Sequence, residues 1–384
     1  MFPVKTFTLY KEACFYATFP SVTMTHSGDI LVAFRRAPDH RWLVNKDEDL
    51  PLKDHFNSVD HIHSRSHIAL IRLDRNLKQD GEVSILPCDP EAADQEANLL
   101  TLSSGRIIHY GFMFYPVLPE YYEALKAQGC HPRRNKFYGV DYLFWGSYSR
   151  TSDDNGQSWS ARTLLPVPSY FKGNKIAKKA LQGGPVRGRA IQTREGTILL
   201  SVYKEDKESR APEVTQFYQS LDEGETWGEV GDTLCMPAIH LREPALANWP
   251  DENQFTVFHR TKGLEGGDHL VTARGALDTL KTKQPQVHQT RGHPYDPLIL
   301  QDGRLFLSYG YRSAPYGVRY KIVEKNQALD DAEEYVICED SHGHDCGYPW
   351  AVEMSLGKVL VVYYKTFEDG LRGIVASIVE VDMI

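Results

Sequence analysis

Three residues able to exchange protons stand at matching points of the chain. Glu243 in the phrase REP, Asp296 in HPYDP and Tyr348 in DCGYP each open an apolar run. Arg260 ends the run that Glu243 opens, in VFHR. A tyrosine hydroxyl, with a pKa near ~10, is a poor nucleophile at neutral pH. A carboxylate within hydrogen-bond reach can take its proton as a bond forms. Arginine adds bidentate hydrogen bonds to a carboxylate on a substrate. A second polar group lies in residues 37–67, which carry His40, His55, His61, His63 and His67 with Asp39, Asp54 and Asp60 nearby. On a strand His61 and His63 would share a face. These imidazoles could hold a metal, contact sugar, do acid–base work or decorate a polar loop. No spacing such as HExxH is present, so neither a metal nor another cofactor is expected.

The residues at the heads of these runs need a scaffold that brings them together. The stretch FPSVTMTHSGDILVAFRR, Phe19 to Arg36, reads as strand, tight turn, strand, and the phrase returns five times. The copies turn at Gly28, Gly105, Gly196, near Asp251, at Gly303 and at Gly357. Glycine suits such turns because it reaches positive φ without a Cβ clash. Gly303 and Gly357 are 54 residues apart, the length of one four-stranded propeller blade with its loops. The first two steps are longer, which places insertions at residues 37–67 and 112–148. Within the second, PEYYEALKAQG reads as a short helix stopped by Gly129. Its neighbouring aromatics could line a sugar platform or pack beneath a loop. The expectation is one all-β domain over residues 1–384, a six-bladed β-propeller with insertions in the first two blades. Residues 1–18 should close the ring against the last blade, removing an open sheet edge. Residues 68–75, IALIRLDR, read as the outer strand of the first blade. In such a ring Glu243, Asp296 and Tyr348 converge on the axis. Arg35, Arg36, Arg187 and Arg189 lie at repeat edges near the same axis.

Composition narrows the function. A net charge of −8 argues against a nucleic-acid groove, which needs a basic face. No run of 18 apolar residues suggests a membrane span. The start MFPVKTFTLYKEACFY lacks a signal-peptide core, giving the expectation of a cytoplasmic chain unless a signal was removed. Six scattered cysteines without a CxxC pair point to free thiols rather than a zinc ribbon.

Two further stretches share one pattern. Ser152-Asp153-Asp154-Asn155-Gly156-Gln157-Ser158-Trp159 and Ser220-Leu221-Asp222-Glu223-Gly224-Glu225-Thr226-Trp227 both fit S-x-D-x-G-x-[ST]-W. The Asp can accept N–H bonds of its own turn, Gly takes the positive-φ corner, and Trp wedges the hairpin on its blade. The pattern resembles the Asp-box, or BNR repeat, of the sialidase superfamily, where it is a structural feature of the outer rim.

The resemblance implies a sialidase-type glycoside hydrolase, exo-acting on an acidic or modified sugar of a glycan. It matches Glu243 to the catalytic glutamate and Tyr348 to the nucleophilic tyrosine. Arg260 matches one arginine of the carboxylate-binding triad, and Arg319 a second, with Arg312 its competitor. A tyrosine nucleophile suits an anomeric carbon that bears a carboxylate, since a second carboxylate would be repelled. The chain departs from the pattern in Ala17-Thr18-Phe19-Pro20, where Thr18 replaces the arginine of an Arg-Ile-Pro phrase. Arg36 and Arg189 are candidate substitute cations. The family's acid, an aspartate after the first repeat, corresponds to Asp39, with His40, His61 and His63 as alternatives. Two other readings stay open. One is a propeller polysaccharide lyase with a His or Tyr base and arginine neutralising a uronate. The other is a glycan-binding propeller without turnover.

Overall fold

Each copy of the repeated phrase folds as the inner half of a sheet, and the following segment supplies the outer half. The computed structural model describes residues 4–39, 63–134, 141–166, 174–176, 179–181, 184–204 and 212–382. Strand β1 (Val4–Tyr10) comes first but belongs to the last blade. Blade 1 is β2 (Phe15–Met24), β3 (Ile30–Pro38), β4 (His67–Leu73) and β5 (Ser84–Ile85). Blade 2 is β6 (Ala93–Asp94) and β7 (Asn98–Thr101), both on β8 (Ile107–Val117), then β9 (Asp141–Ser152) and β10 (Thr163–Leu164). A separate hairpin, β11 (Asn174–Ile176) with β12 (Lys179–Leu181), precedes blade 3. Blade 3 is β13 (Ile191–Gln192), β14 (Ile198–Lys204), β15 (Val214–Ser220) and β16 (Gly228–Leu234). Blade 4 is β17 (His240–Asn248), β18 (Gln254–Lys262), β19 (His269–Ala276) and β20 (Gln286–Arg291). Blade 5 is β21 (Tyr295–Ile299), β22 (Leu305–Tyr311), β23 (Gly317–Val323) and β24 (Glu334–Cys338). Blade 6 is β25 (Gly347–Ser355), β26 (Lys358–Thr366) and β27 (Arg372–Glu380), with β1 outermost.

The chain is therefore a six-bladed β-propeller, and β1 pairs antiparallel with β27 to close it. The outermost strand of blade 1 is β5, so residues 68–75 supply the third strand rather than the outer one. Inner strands touch around the ring, β25 with β2, β2 with β7, β17 with β21 and β21 with β25. A buried apolar cluster runs through blades 6, 1, 2 and 3, from Val362 and Trp350 through Val32 to Leu200. The expected helix is present as α1 (Tyr122–Ala127), after a 3-10 turn at Pro119–Tyr121, and Gly129 follows it at φ 79°.

Three inner strands carry a β-bulge near their start. The register shifts between Thr18 and Ser21 in β2, Arg242 and Ala245 in β17, and Gly347 and Trp350 in β25. The bulged residues Phe19, Glu243 and Tyr348 have φ of 52°, 46° and 51°. Positive φ on bulky side chains is strained, and each is followed by a proline that needs no ladder partner for its nitrogen. A bulge re-aims a side chain that would otherwise stand on the sheet face.

Candidate active site

The bulges of β17 and β25 aim Glu243 and Tyr348 at each other across the axis. Tyr348 Oη donates to Glu243 Oε1 at 2.5 Å, inside a region where both residues are 6% exposed. Arg260, from β18, donates Nη1 to both Glu243 oxygens at 3.1 and 3.2 Å and lies 3.4 Å from Tyr348 Oη. Arg312, just after β22, holds its guanidinium carbon 5.4 Å from the Tyr348 ring centre. It is fixed there by Tyr364 Oη at 3.0 Å and Cys346 O at 3.2 Å. Tyr364 Oη in turn donates to Asp345 Oδ1 at 2.6 Å, while Tyr16 Oη donates to Oδ2 at 2.7 Å. Arg187 places its guanidinium carbon 5.0 Å from the same ring centre and donates to Tyr348 O at 3.4 Å. Phe19 packs on the tyrosine with ring centres 4.7 Å apart.

This surrounding sets the charge states. Burial alone would raise the Glu243 carboxyl. Arg260, the Tyr348 hydroxyl, Arg312 and Arg187 outweigh it, and the group sits below the ordinary glutamate value. Burial and then the Glu243 charge push the Tyr348 phenol far above its ordinary value, against Arg260 and Arg312. At neutral pH the pair is thus an ionised carboxylate accepting from a neutral phenol. His293 stands beside them. Burial, Arg260 and Arg312 lower it to about 3, so its ring is neutral, with Nε2 3.2 Å from Asp268 Oδ2.

The other sequence candidates are placed elsewhere. Asp296 stands on a regular strand without a bulge, and its carboxylate accepts from Arg189 Nε and Nη2 at 2.9 Å each and from Ala351 N at 2.8 Å. Arg189 and Asp296 therefore hold each other and do not reach the Tyr348–Glu243 pair through any hydrogen bond among the described residues. Arg36 donates to His67 Nε2 at 2.9 Å and Tyr10 Oη at 3.1 Å, while its neighbour Arg35 is fully buried beside Tyr16. Strand alternation separates these two adjacent arginines. Arg319 donates to Cys338 O at 2.9 Å and stacks over Tyr311, so Arg312 rather than Arg319 is the arginine beside Tyr348. Asp39 is fully buried at the end of the β3 region. His40, His55 and His61 lie outside the described residues. Among the described residues no group of three or more His, Cys, Asp or Glu is placed to hold a metal.

The site also contains residues that the sequence reading passed over. Glu96 and Tyr203 join Arg187, Glu243 and Tyr348 electrostatically. The signal was the turn glycine of four of the repeats. Phe19, Glu96, Arg187 and Tyr348 all stand nine residues before Gly28, Gly105, Gly196 and Gly357. Arg35, Tyr203 and Tyr364 stand seven residues after their turn glycines.

Known structures share this arrangement of blades. A protein of unknown function from Dyadobacter fermentans superposes with a TM-score of 0.86 at 28% identity, over 99% of both chains. The NanB sialidase from Streptococcus pneumoniae matches with a TM-score of 0.61 at 14% identity, over 97% of this chain and 70% of that one. Trypanosoma rangeli sialidase in complex with the inhibitor DANA gives 0.61 at 12% identity, over 98% of this chain and 60% of that one. The fold is that of a sialidase-type propeller. No family model and no curated protein matches the chain. The sialidase-type propeller described here thus spans about 60% of the trypanosomal enzyme's length. No described helix in it is long and apolar enough to cross a membrane.

Proposed function

We propose that the chain is a glycoside hydrolase of sialidase type, releasing an acidic or otherwise modified sugar from the end of a glycan. The observation that carries the reading is the 2.5 Å hydrogen bond from Tyr348 Oη to Glu243 Oε1, with Arg260 beside both atoms. Tyr348 is the nucleophile. As its oxygen bonds to the anomeric carbon, its proton passes to Glu243, and Arg260 offsets the negative charge that grows on the phenol oxygen. Water then displaces the tyrosine and Glu243 returns the proton, so two successive displacements retain the anomeric configuration.

Arg260, Arg312 and Arg187 surround the tyrosine, and Arg260 and Arg312 keep about a fifth of their side chains exposed. A cationic site with arginine surface to spare favours a substrate carboxylate. Blade 1 contributes the apolar Phe19 to this site and Thr18 where an arginine would complete a clamp. The sugar is therefore acidic or modified without being restricted to sialic acid.

The test is a panel of acidic and deoxy glycosides assayed for reducing ends and near-ultraviolet absorbance. Tyr348→Phe should lower kcat about 1,000-fold or more while ligand affinity stays within a few-fold, because the lost oxygen acts in the transition state. Unchanged rates in that variant would remove the tyrosine from the mechanism. A product absorbing in the near ultraviolet would mean elimination instead of hydrolysis.

A further inference from the structure

Blade 2 sends a second carboxyl group to the axis. Glu96 precedes β7 at the repeat position that Tyr348 holds in blade 6, and its 5% exposure matches the 6% of Glu243 and Tyr348. Gly111 of β8 positions it, since a Cβ there would collide with the Glu96 carbonyl oxygen. Glu96 Oε2 is enclosed and has no hydrogen-bond partner among the described residues. The facing cation is Arg187, whose Nε lies 3.6 Å away, also without an acceptor. Arg187 directs its own hydrogen bonds to Asn98 Oδ1 at 3.0 Å and Tyr348 O at 3.4 Å.

A carboxylate removed from water without hydrogen bonds is costly, and the protonated acid is the less costly state. The charged groups facing Glu96 are Arg187 from blade 3, Glu243 from blade 4 and Arg35 from blade 1. Burial is the largest influence, Glu243 adds to it, the two arginines oppose it, and the carboxyl is pushed up to about 8. Around one tyrosine the molecule thus holds one ionised carboxylate and one carboxylic acid, the separation that acid–base catalysis requires.

From the burial of Glu96 beside Arg187, with an oxygen that no donor among the described residues hydrogen-bonds, we infer that Glu96 is the general acid of the site. The inference rests on the glycosidase reading above. In the first step the Glu96 proton goes to the glycosidic oxygen as the bond from that oxygen to the anomeric carbon breaks. The leaving group departs as a neutral alcohol, the Tyr348 oxygen bonds to the sugar, and the Tyr348 proton sits on Glu243. In the second step water attacks the anomeric carbon and gives a proton to the Glu96 carboxylate. The tyrosine leaves and recovers its proton from Glu243, and every group returns to its starting state.

Leaving-group dependence tests this. Glu96→Gln keeps the side-chain shape and removes the acid. A 4-nitrophenyl glycoside needs no proton to depart, so its turnover should fall less than about 10-fold. The methyl glycoside of the same sugar should lose about 100- to 10,000-fold. Equal losses on both, or no loss on either, overturn the assignment. Wild-type protein that turns over no glycoside removes the glycosidase reading and this role with it. Infrared spectra of wild-type protein carrying carbon-13 in its glutamate carboxyls give a separate check that needs no turnover. A protonated-carboxyl band should persist at about pH 6, fall to roughly half near pH 8, vanish by about pH 10 and be missing from Glu96→Gln. A Glu96 already ionised at about pH 6 overturns the acid role whatever the assays show, while leaving the Tyr348–Glu243 pair untouched.

Discussion

Tyr348 and Glu243 owe their charge states to each other and to the arginines around them. The carboxylate is kept ionised by Arg260 despite its burial, and the phenol is kept protonated by the same burial. Glu96 shows what burial does where no hydrogen bond compensates, and it gives a pH signature in stability. Its folded value, about 8, lies above the ordinary glutamate value, so the folded chain holds a proton that the unfolded chain has released. The associated stability is fully present below about pH 4.3 and is lost as pH rises towards 8. Wild-type protein should therefore lose melting temperature across this window by more than Glu96→Gln does. Parallel melting curves from about pH 5 to 9 would mean that Glu96 is ionised in the fold. Glu243 and Tyr348 were legible in the sequence because each heads an apolar run. Glu96 was not, because its own run begins with Ala97 and Asn98 and only counting back from Gly105 aligns it with the others.

At the scale of the element, the bulge decides which residue faces the axis. Phe19, Glu243 and Tyr348 occupy bulges, whereas β21 keeps regular pairing and leaves Asp296 on the sheet face. Apolar periodicity marks where a strand runs but not where one extra residue enters it, so Asp296 looked equivalent to Glu243 until the register was known. The S-x-D-x-G-x-[ST]-W turns were more readable, since their bonding is local. Asp154 Oδ1 accepts from Ser158 N at 2.8 Å and Asp222 Oδ1 from Thr226 N at 2.9 Å, with Ser152 and Ser220 hydroxyls closing each turn. Their reach to the preceding blade was not readable. Gly156 abuts Leu31 of blade 1, Gly224 abuts Ile108 of blade 2, and Trp227 Nε1 donates to Ser149 Oγ of blade 2 at 2.8 Å. Gly224 has φ of 90°, and a Cβ there would lie 2.8 Å from Ile108 Cδ1. Gly224→Ala should therefore cost about 1–3 kcal/mol in urea unfolding and leave turnover unchanged. A neutral result would show that the turn can lift off blade 2 without loss.

At the scale of the molecule, the ring is tied across its own axis as well as around its rim. Arg189 of blade 3 grips Asp296 of blade 5 through two hydrogen bonds and donates to Ala351 O of blade 6 at 2.7 Å. Its guanidinium carbon also lies 5.1 Å from the ring centre of the buried Trp350. Removing one partner of such a pair strands the other, so Asp296→Ala should cost about 3–5 kcal/mol. Turnover per folded molecule should stay near that of the wild type. A weaker KM at unchanged stability would return Asp296 to a substrate-binding role. The six repeats and the shared closing blade were evident from the repeated phrase, but this cross-tie was not, because its partners are 107 residues apart and belong to different copies. The pairing of Val4 with Val379 carries its own consequence for how the molecule is made. Strand β1 must wait for the 375 residues after Val4, up to Val379, to leave the ribosome, roughly 20–75 s at ordinary translation speeds. Throughout that interval five blades can assemble while the circle stays open, and a nascent chain is exposed to pairing with its neighbours on the same polysome.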